Sequence, residues 1–254
     1  MITFDAVSYA YPRSAPVFED FSWQVRRGER WAVIGPSGCG KSTLLSLLAG
    51  LFFPTRGQVC IDGQPLTRPR PRSGLIIQEF GLLPWATVRQ NAALGQRIRQ
   101  FYGPDGTHAP AALLPGEGDV DAWLQRLGLS ALAKRYPAQL SGGQRQRTAL
   151  ARTLALRPDL LLMDEPFSAL DAPTRESLQA LSLDLCTEQD LTLVVVTHAI
   201  EEAAALGEKI LLLPHPPNHE GVLFDNPGAR QKTYRETAEY QSVCRQLRQA
   251  LGVE

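Results

Sequence analysis

Gly35-Pro36-Ser37-Gly38-Cys39-Gly40-Lys41-Ser42-Thr43 is the stretch that decides how this chain folds. It fits G-x-x-x-x-G-K-[ST], a loop that cradles phosphates between a strand and a helix. Ahead of it, Arg30-Trp31-Ala32-Val33-Ile34 reads as a short buried strand; behind it, Leu44-Leu45-Ser46-Leu47-Leu48-Ala49 continues as a helix with no breaker. The glycines let the backbone turn tightly, so successive N–H groups can point inward at an anion. The new helix adds its positive N-terminal end. In such a loop Lys41 reaches the β- and γ-phosphates, and the Ser42 hydroxyl takes one position on Mg²⁺. A nucleotide is the expected ligand.

The rest of the composition narrows the class. The 254 residues suffice for one large domain or two small ones. Lys plus Arg (26) equal Asp plus Glu (26), so no bulk field favours nucleic acid or anionic lipid. No apolar run reaches the roughly 18–20 residues that span a bilayer. Met1-Ile2-Thr3-Phe4-Asp5 lacks a basic segment followed by an apolar one, so no secretion signal is expected. A cytosolic protein is expected, with any membrane link made through a partner. Cys39, Cys60, Cys186 and Cys244 have no metal-ligand spacing and are too sparse for a disulfide framework, so all four are expected as reduced thiols. Alkylation of Cys39, inside the loop, is expected to block nucleotide.

Ile2–Val7 and Phe21–Val25 alternate apolar with polar residues, as half-exposed antiparallel strands do. Tyr9-Ala10-Tyr11-Pro12 between them reads as a turn with an exposed aromatic. Gln58–Gly63 is a strand closed by an Asp-Gly turn, and Gly74–Gln78 a buried strand ending on an amide. Thr87–Gln100 predicts a helix, whereas Tyr102–Asp119 is rich in Gly and Pro and reads as a mobile surface insertion. Val120–Leu127 and Gln144–Leu156 resume helical spacing, so the middle of the chain forms a helical subdomain. Leu160–Met163, Leu191–Val196 and Ile210–Leu213 are apolar runs of the kind that parallel strands between helices show. A helix over Thr174–Gln189 separates the first two. From Pro227 the tail is polar, with one weak helix near Tyr240–Leu251.

Two further motifs carry chemistry. Leu160-Leu161-Leu162-Met163-Asp164-Glu165-Pro166 sets two carboxylates at the C-terminal end of a buried strand, where open α/β sheets bind ligands. Asp164 there suits Mg²⁺, and Glu165 suits a general base for water. Leu140-Ser141-Gly142-Gly143-Gln144 opens a helix with Ser141 as its cap and two glycines exposing backbone N–H groups, which makes a second anion site.

Phosphate loop, Gln78, Leu140–Gln144, Asp164-Glu165 and His198 follow one another as in the ATPase subunits of ABC transporters. The resemblance runs over roughly Met1 to Leu213. It implies an α/β fold: a P-loop core of mixed sheet with an antiparallel β edge (residues 1–84 and 157–225), a helical signature subdomain (85–156) and a tail (226–254). It implies ATP and Mg²⁺ as ligands, the metal on Ser42, Gln78 and Asp164. Glu165, Gln78 and His198 become catalytic, the last two sensing or contacting the γ-phosphate. Tyr11 matches the aromatic that stacks on adenine, with Val17 beside it; Gly35, Ser37, Gly38, Cys39, Gly40, Lys41, Ser42 and Thr43 hold the phosphates. Ser141, Gly142, Gly143 and Gln144 complete the site of a second copy, so the implied unit is a head-to-tail dimer, with itself or with a homologous ATPase. Ser168-Ala169-Leu170-Asp171 matches the loop where two such subunits touch.

Phe80-Gly81-Leu82-Leu83-Pro84-Trp85 and the run Met163–Asp171 look like bacterial importers of the nitrate, sulfonate and taurine group. The resemblance therefore implies separate transmembrane permease subunits docking at Phe80–Trp85, a solute-binding protein, no nucleic acid, and a peripheral place on the cytoplasmic face of the inner membrane. Tyr102–Asp119 and Pro214-His215-Pro216-Pro217 depart from that group and leave the solute open. A soluble ABC-type ATPase acting on DNA ends or ribosomes would be marked by heptad arms or tandem ATPase units, and the sequence carries neither.

Overall fold

Arg30–Ile34 forms a strand buried along its whole length, as its apolar run predicts. The computed structural model describes residues 1–112, 119–231 and 233–253, and the chain packs into two compact units: Met1–Arg68 with Cys186–Glu254, and Pro69–Leu185. The first unit begins with β1 (Ile2–Ala10), β2 (Pro16–Val25), β3 (Arg30–Ile34), α1 (Lys41–Leu48), β4 (Arg56–Ile61) and the short β5 (Gln64–Pro65). The second holds β6 (Ser73–Ile76), α2 (Val88–Ala92), α3 (Leu94–Tyr102), α4 (Val120–Arg126), α5 (Gly142–Leu154) and β7 (Leu160–Asp164). After α6 (Ala172–Glu188) the first unit resumes with β8 (Thr192–Val196), α7 (Ile200–Leu206), β9 (Lys209–Leu212), β10 (Val222–Asp225) and α8 (Ala238–Leu251).

In the first unit β2, β1, β4 and β5 make an antiparallel sheet in that order, the expected β edge. Its inner face packs Phe4 against Phe21 and Trp23, and Trp23 edge-on to Trp31 of β3, at centroid distances of 6.1, 5.7 and 5.1 Å. Burying one such ring contributes roughly 1.5–3 kcal/mol, which is how the alternation in β1 and β2 becomes a fixed face. The second sheet of this unit runs β10-β9-β3-β8. In it β3 lies parallel to β8 and β9, and β10 is antiparallel to β9. In the second unit β6 pairs in parallel with β7, Ser73 opposite Leu160 and Ile76 opposite Met163.

Several expectations shift. β1 extends through Tyr9 and Ala10, because Tyr9 stacks on Phe52 with centroids 5.6 Å apart and pairs in register with Phe18; the turn starts at Tyr11. The helix expected over Thr87–Gln100 is two helices meeting at Ala93, whose side chain supplies no cap. β10 has no counterpart in the sequence reading: Val222 and Leu223 are both exposed, so it lacks alternation. In the insertion, Gly103 (φ +70°) follows the end of α3 and His108 stacks on Tyr102 at 3.7 Å. Residues 113–118 of that stretch lie outside the described residues. All four cysteines are free thiols. Among the described residues no helix is long and apolar enough to cross a membrane.

Candidate active site

The loop between β3 and α1 needs its glycines for separate reasons. Gly38 (φ +77°) and Gly40 (φ +107°) occupy backbone conformations that L side chains rarely adopt, and a Cβ at Gly40 would stand 2.6 Å from Val17 Cγ1. A Cβ at Gly35 would lie 2.4 Å from the Leu213 carbonyl. Among the described residues no side chain caps the start of α1, so its first N–H groups keep their positive end for a ligand.

Lys41 is only 8 % exposed, and its ammonium donates to the carbonyls of Gly35 (2.8 Å) and Pro36 (3.0 Å) and approaches Cys39 Sγ at 3.8 Å. Every one of these partners is neutral. A buried cation with no counter-charge bonded to it among the described residues, beside an uncapped helix start, fits a phosphate. Cys39 turns its sulfur inward, and burial pushes the thiol pKa up against the opposing pull of Lys41. The expected alkylation at this position therefore meets a shielded, protonated sulfur, a poor nucleophile.

Tyr11 is 39 % exposed and edge-on to Tyr9 and Phe52; its hydroxyl lies 2.9 Å from Thr43 Oγ1, which ties the aromatic to the first turn of α1. His198 is exposed just past β8. Register puts it near the loop: Val33 pairs with Val196, the Thr197 N–H donates to the Val33 carbonyl at 3.1 Å, and β3 runs on into Gly35. The first unit thus gathers Tyr11, Val17, Gly35, Ser37 to Thr43, and His198.

The second unit gathers Gln78, Asp164 and Glu165. β7 is buried up to Met163 and emerges at half-buried Asp164 and Glu165. Gln78 Nε2 donates to Glu165 Oε2 at 3.3 Å. Glu165 has φ +44°, a conformation costly for a non-glycine residue and one that recurs at functional positions. Its carbonyl also accepts from the Ser168 hydroxyl at 3.0 Å. Ser141 caps α5 reciprocally: its hydroxyl accepts from the Gln144 N–H (3.3 Å) while Gln144 Oε1 accepts from the Ser141 N–H (2.9 Å). Gly142 and Gly143 are needed for close packing, since a Cβ on either would come within 2.9 Å of Leu170 or 2.6 Å of Thr174. Asp171 Oδ1 accepts from the Thr174 N–H at 3.1 Å, and that bond holds its carboxyl below the usual range.

In the stretch after Gln78, Phe80 is buried, with the Arg145 guanidinium over its ring at 5.9 Å, so it belongs to the core. Leu82 and Leu83 are half-buried, and Trp85 is 73 % exposed. Two residues without a sequence signal shape this loop. Arg152 of α5 donates to the carbonyls of Phe80 (2.8 Å) and Gly81 (2.6 Å), two consecutive residues at positive φ. Buried Asn91 accepts from the Leu83 N–H and donates to the carbonyls of Leu83, Ala86 and Thr87. A third, Asn218, touches the phosphate loop from a Pro-rich segment that no motif marks.

Known proteins resemble this chain in sequence and in fold. The sequence profile described as "ABC transporter" matches residues 18–168. The taurine import ATP-binding protein TauB of Pseudomonas aeruginosa is 42% identical over 219 residues, 85% of this chain and 80% of that one. The aliphatic sulfonates import ATP-binding protein SsuB of Bacillus cereus is 38% identical over 91% of this chain and 89% of its own length. The bicarbonate transport ATP-binding protein CmpC of Synechococcus elongatus is 43% identical over 82% of this chain, which spans 31% of that protein. Among solved structures, the dimeric ATP-binding cassette MJ0796 with ADP and Pi superposes with a TM-score of 0.71 at 31% identity, over 89% of this chain and 98% of that one. CbiO1 of Clostridium perfringens, at 24% identity, shares the fold with a TM-score of 0.75 over 99% of this chain and 95% of its own. This chain belongs to the ABC transporter family, as an ATP-binding and ATP-hydrolysing subunit.

Proposed function

We propose that the chain powers a bacterial importer of a small anion or organic solute of the nitrate, sulfonate and taurine kind. The observation that carries the nucleotide reading is Lys41, a buried ammonium with neutral partners at the start of α1. The solute class rests on the names of the relatives, which import taurine, sulfonates and nitrate; these favour transport over a soluble ABC-type ATPase.

In this reading the loop N–H groups and Lys41 hold the β- and γ-phosphates, and Tyr11 with Val17 takes the adenine. Glu165 removes the proton from the attacking water, and Gln78 and His198 orient the γ-phosphate and that water. Ser42, Gln78 and Asp164 are the residues that would hold Mg²⁺, which when bound would supply positive charge against the phosphate oxygens. Ser141 to Gln144 serve the second copy of a head-to-tail dimer, or a homologous ATPase. Residues 85–156 act as the signature subdomain of a core formed by 1–84 and 157–225, with 226–254 as a tail. Trp85, 73 % exposed, anchors permease subunits on the cytoplasmic face of the inner membrane, where a solute-binding protein delivers cargo from the other side.

Titration with a fluorescent ATP analogue tests the core of this reading. Lys41→Ala should weaken binding roughly tenfold to a hundredfold, the worth of a hydrogen bond made by a charged group. Unchanged affinity would remove the loop from phosphate binding.

A further inference from the structure

Pro214-His215-Pro216-Pro217-Asn218, the segment that departs from the resembling importers, lies against the phosphate loop. Leu213 is stapled to the end of β3 by its N–H, 2.9 Å from the Ile34 carbonyl, and its own carbonyl closes on Gly35. Asn218 is fully buried and fixed to β2 by its backbone: its N–H donates to the Val17 carbonyl (3.0 Å), and its carbonyl accepts from the Glu19 N–H (3.0 Å). From that anchor its side-chain Nδ2 donates twice, to the carbonyls of Val17 (2.9 Å) and Cys39 (2.8 Å). Among the described residues its Oδ1 has no hydrogen-bond partner.

The amide is therefore kept for its donors alone. A flipped amide would set Oδ1 against two carbonyl oxygens, and neither Asp nor Ser offers two donors at once. A buried acceptor left unmatched is rare enough to ask what the matched half does. Here it grips one peptide of the loop. The Cys39–Gly40 peptide is planar and trans, so its carbonyl and its N–H point in opposite directions. Holding the Cys39 carbonyl on Asn218 holds the Gly40 N–H on the far side. Gly40, at φ +107°, then leads into Lys41 at the start of α1.

We propose that Asn218 is a positioning residue for ATP binding, locking the Cys39–Gly40 peptide so that the Gly40 N–H is preset toward phosphate and tying the loop to Val17. This rests on the reading of the loop as the ATP site. The link is made from the end of the Pro-rich segment, where Asn218 follows Pro216 and Pro217.

The test is calorimetric titration of the full chain with Mg·ADP, alongside steady-state hydrolysis and melting without nucleotide, for wild type, Asn218→Asp and Asn218→Ser. Asn218→Asp should raise the ADP dissociation constant and the KM for ATP about tenfold, with kcat at saturating ATP within about threefold of wild type. A merely structural residue would lower the melting temperature and leave the affinity of the folded fraction unchanged; that result overturns the proposal, as does a fall in kcat at constant KM. If the Asp variant does not fold, Asn218→Ser carries the same comparison. Wild type failing to bind ADP would defeat the loop reading, and the proposal with it. Wild type binding while Asn218→Asp binds equally well defeats only the role of Asn218.

Discussion

Glu165→Gln separates chemistry from binding and folding in one substitution. The two side chains have the same shape, and a glutamine oxygen can still accept from Gln78 Nε2, which stands 3.3 Å from the carboxylate. The backbone at Glu165, φ +44°, is equally strained for either residue. Folding should therefore move by no more than about 0.5 kcal/mol, as for an isosteric change at a half-buried position. If Glu165 serves the γ-phosphate as proposed, removing its negative charge should leave ATP affinity equal or slightly higher. The amide cannot take a proton from water, and losing a general base costs about 10²–10⁴-fold, or roughly 3–5 kcal/mol of barrier. The assay is phosphate release at saturating Mg·ATP, with affinity and melting temperature measured on the same sample. A fall of at least a hundredfold with unchanged melting is expected. Turnover within about fivefold of wild type, in a folded variant that binds ATP, would refute the assignment of Glu165 as base.

Three other outcomes follow from particular contacts. Arg152→Ala leaves the Phe80 and Gly81 carbonyls without their charged donor, so the chain should lose about 2–4 kcal/mol, read as a lower midpoint in denaturant; an unchanged midpoint would show that the contact carries no weight. Trp85→Ala, at an exposed position, should leave hydrolysis by the isolated subunit intact and abolish assembly with transmembrane chains, whereas an unfolded or inactive subunit would make Trp85 part of the core. Burial pushes the Cys186 thiol from 9.0 up to about 12, so the folded chain keeps a proton that the unfolded chain releases. That contribution is complete below about pH 9 and is lost as pH rises toward 12, at up to about 1.4 kcal/mol per unit; Cys186→Ala should flatten this limb of the stability profile, and an equally steep limb would contradict it.

The parts of this protein that were legible in its sequence are those with a short period or a fixed spacing. Arg30 to Thr43 names a strand, a turn and a helix start in sequence order, and the alternation of Ile2–Val7 names a face. The illegible parts depend on partners far along the chain. Asn218 meets Cys39 across 179 positions, and Arg152 meets Phe80 across 72, distances at which a local pattern holds no information. Phe80 and Trp85 look alike as apolar residues in one loop. Arg145 covers the first and leaves the second in solvent, a difference only packing decides. β10 pairs on an edge with both faces partly wet, so it lacks the alternation that betrays a strand.

The central claim is that ATP held on this loop is closed over by the Ser141 to Gln144 helix start of a second subunit. Sedimentation of the Glu165→Gln protein with and without Mg·ATP tests it most directly. The account predicts a monomer without nucleotide, a dimer with ATP, and loss of that dimer in the Glu165→Gln, Ser141→Arg double variant. One sedimenting species under both conditions, or a dimer indifferent to Ser141→Arg, would contradict it.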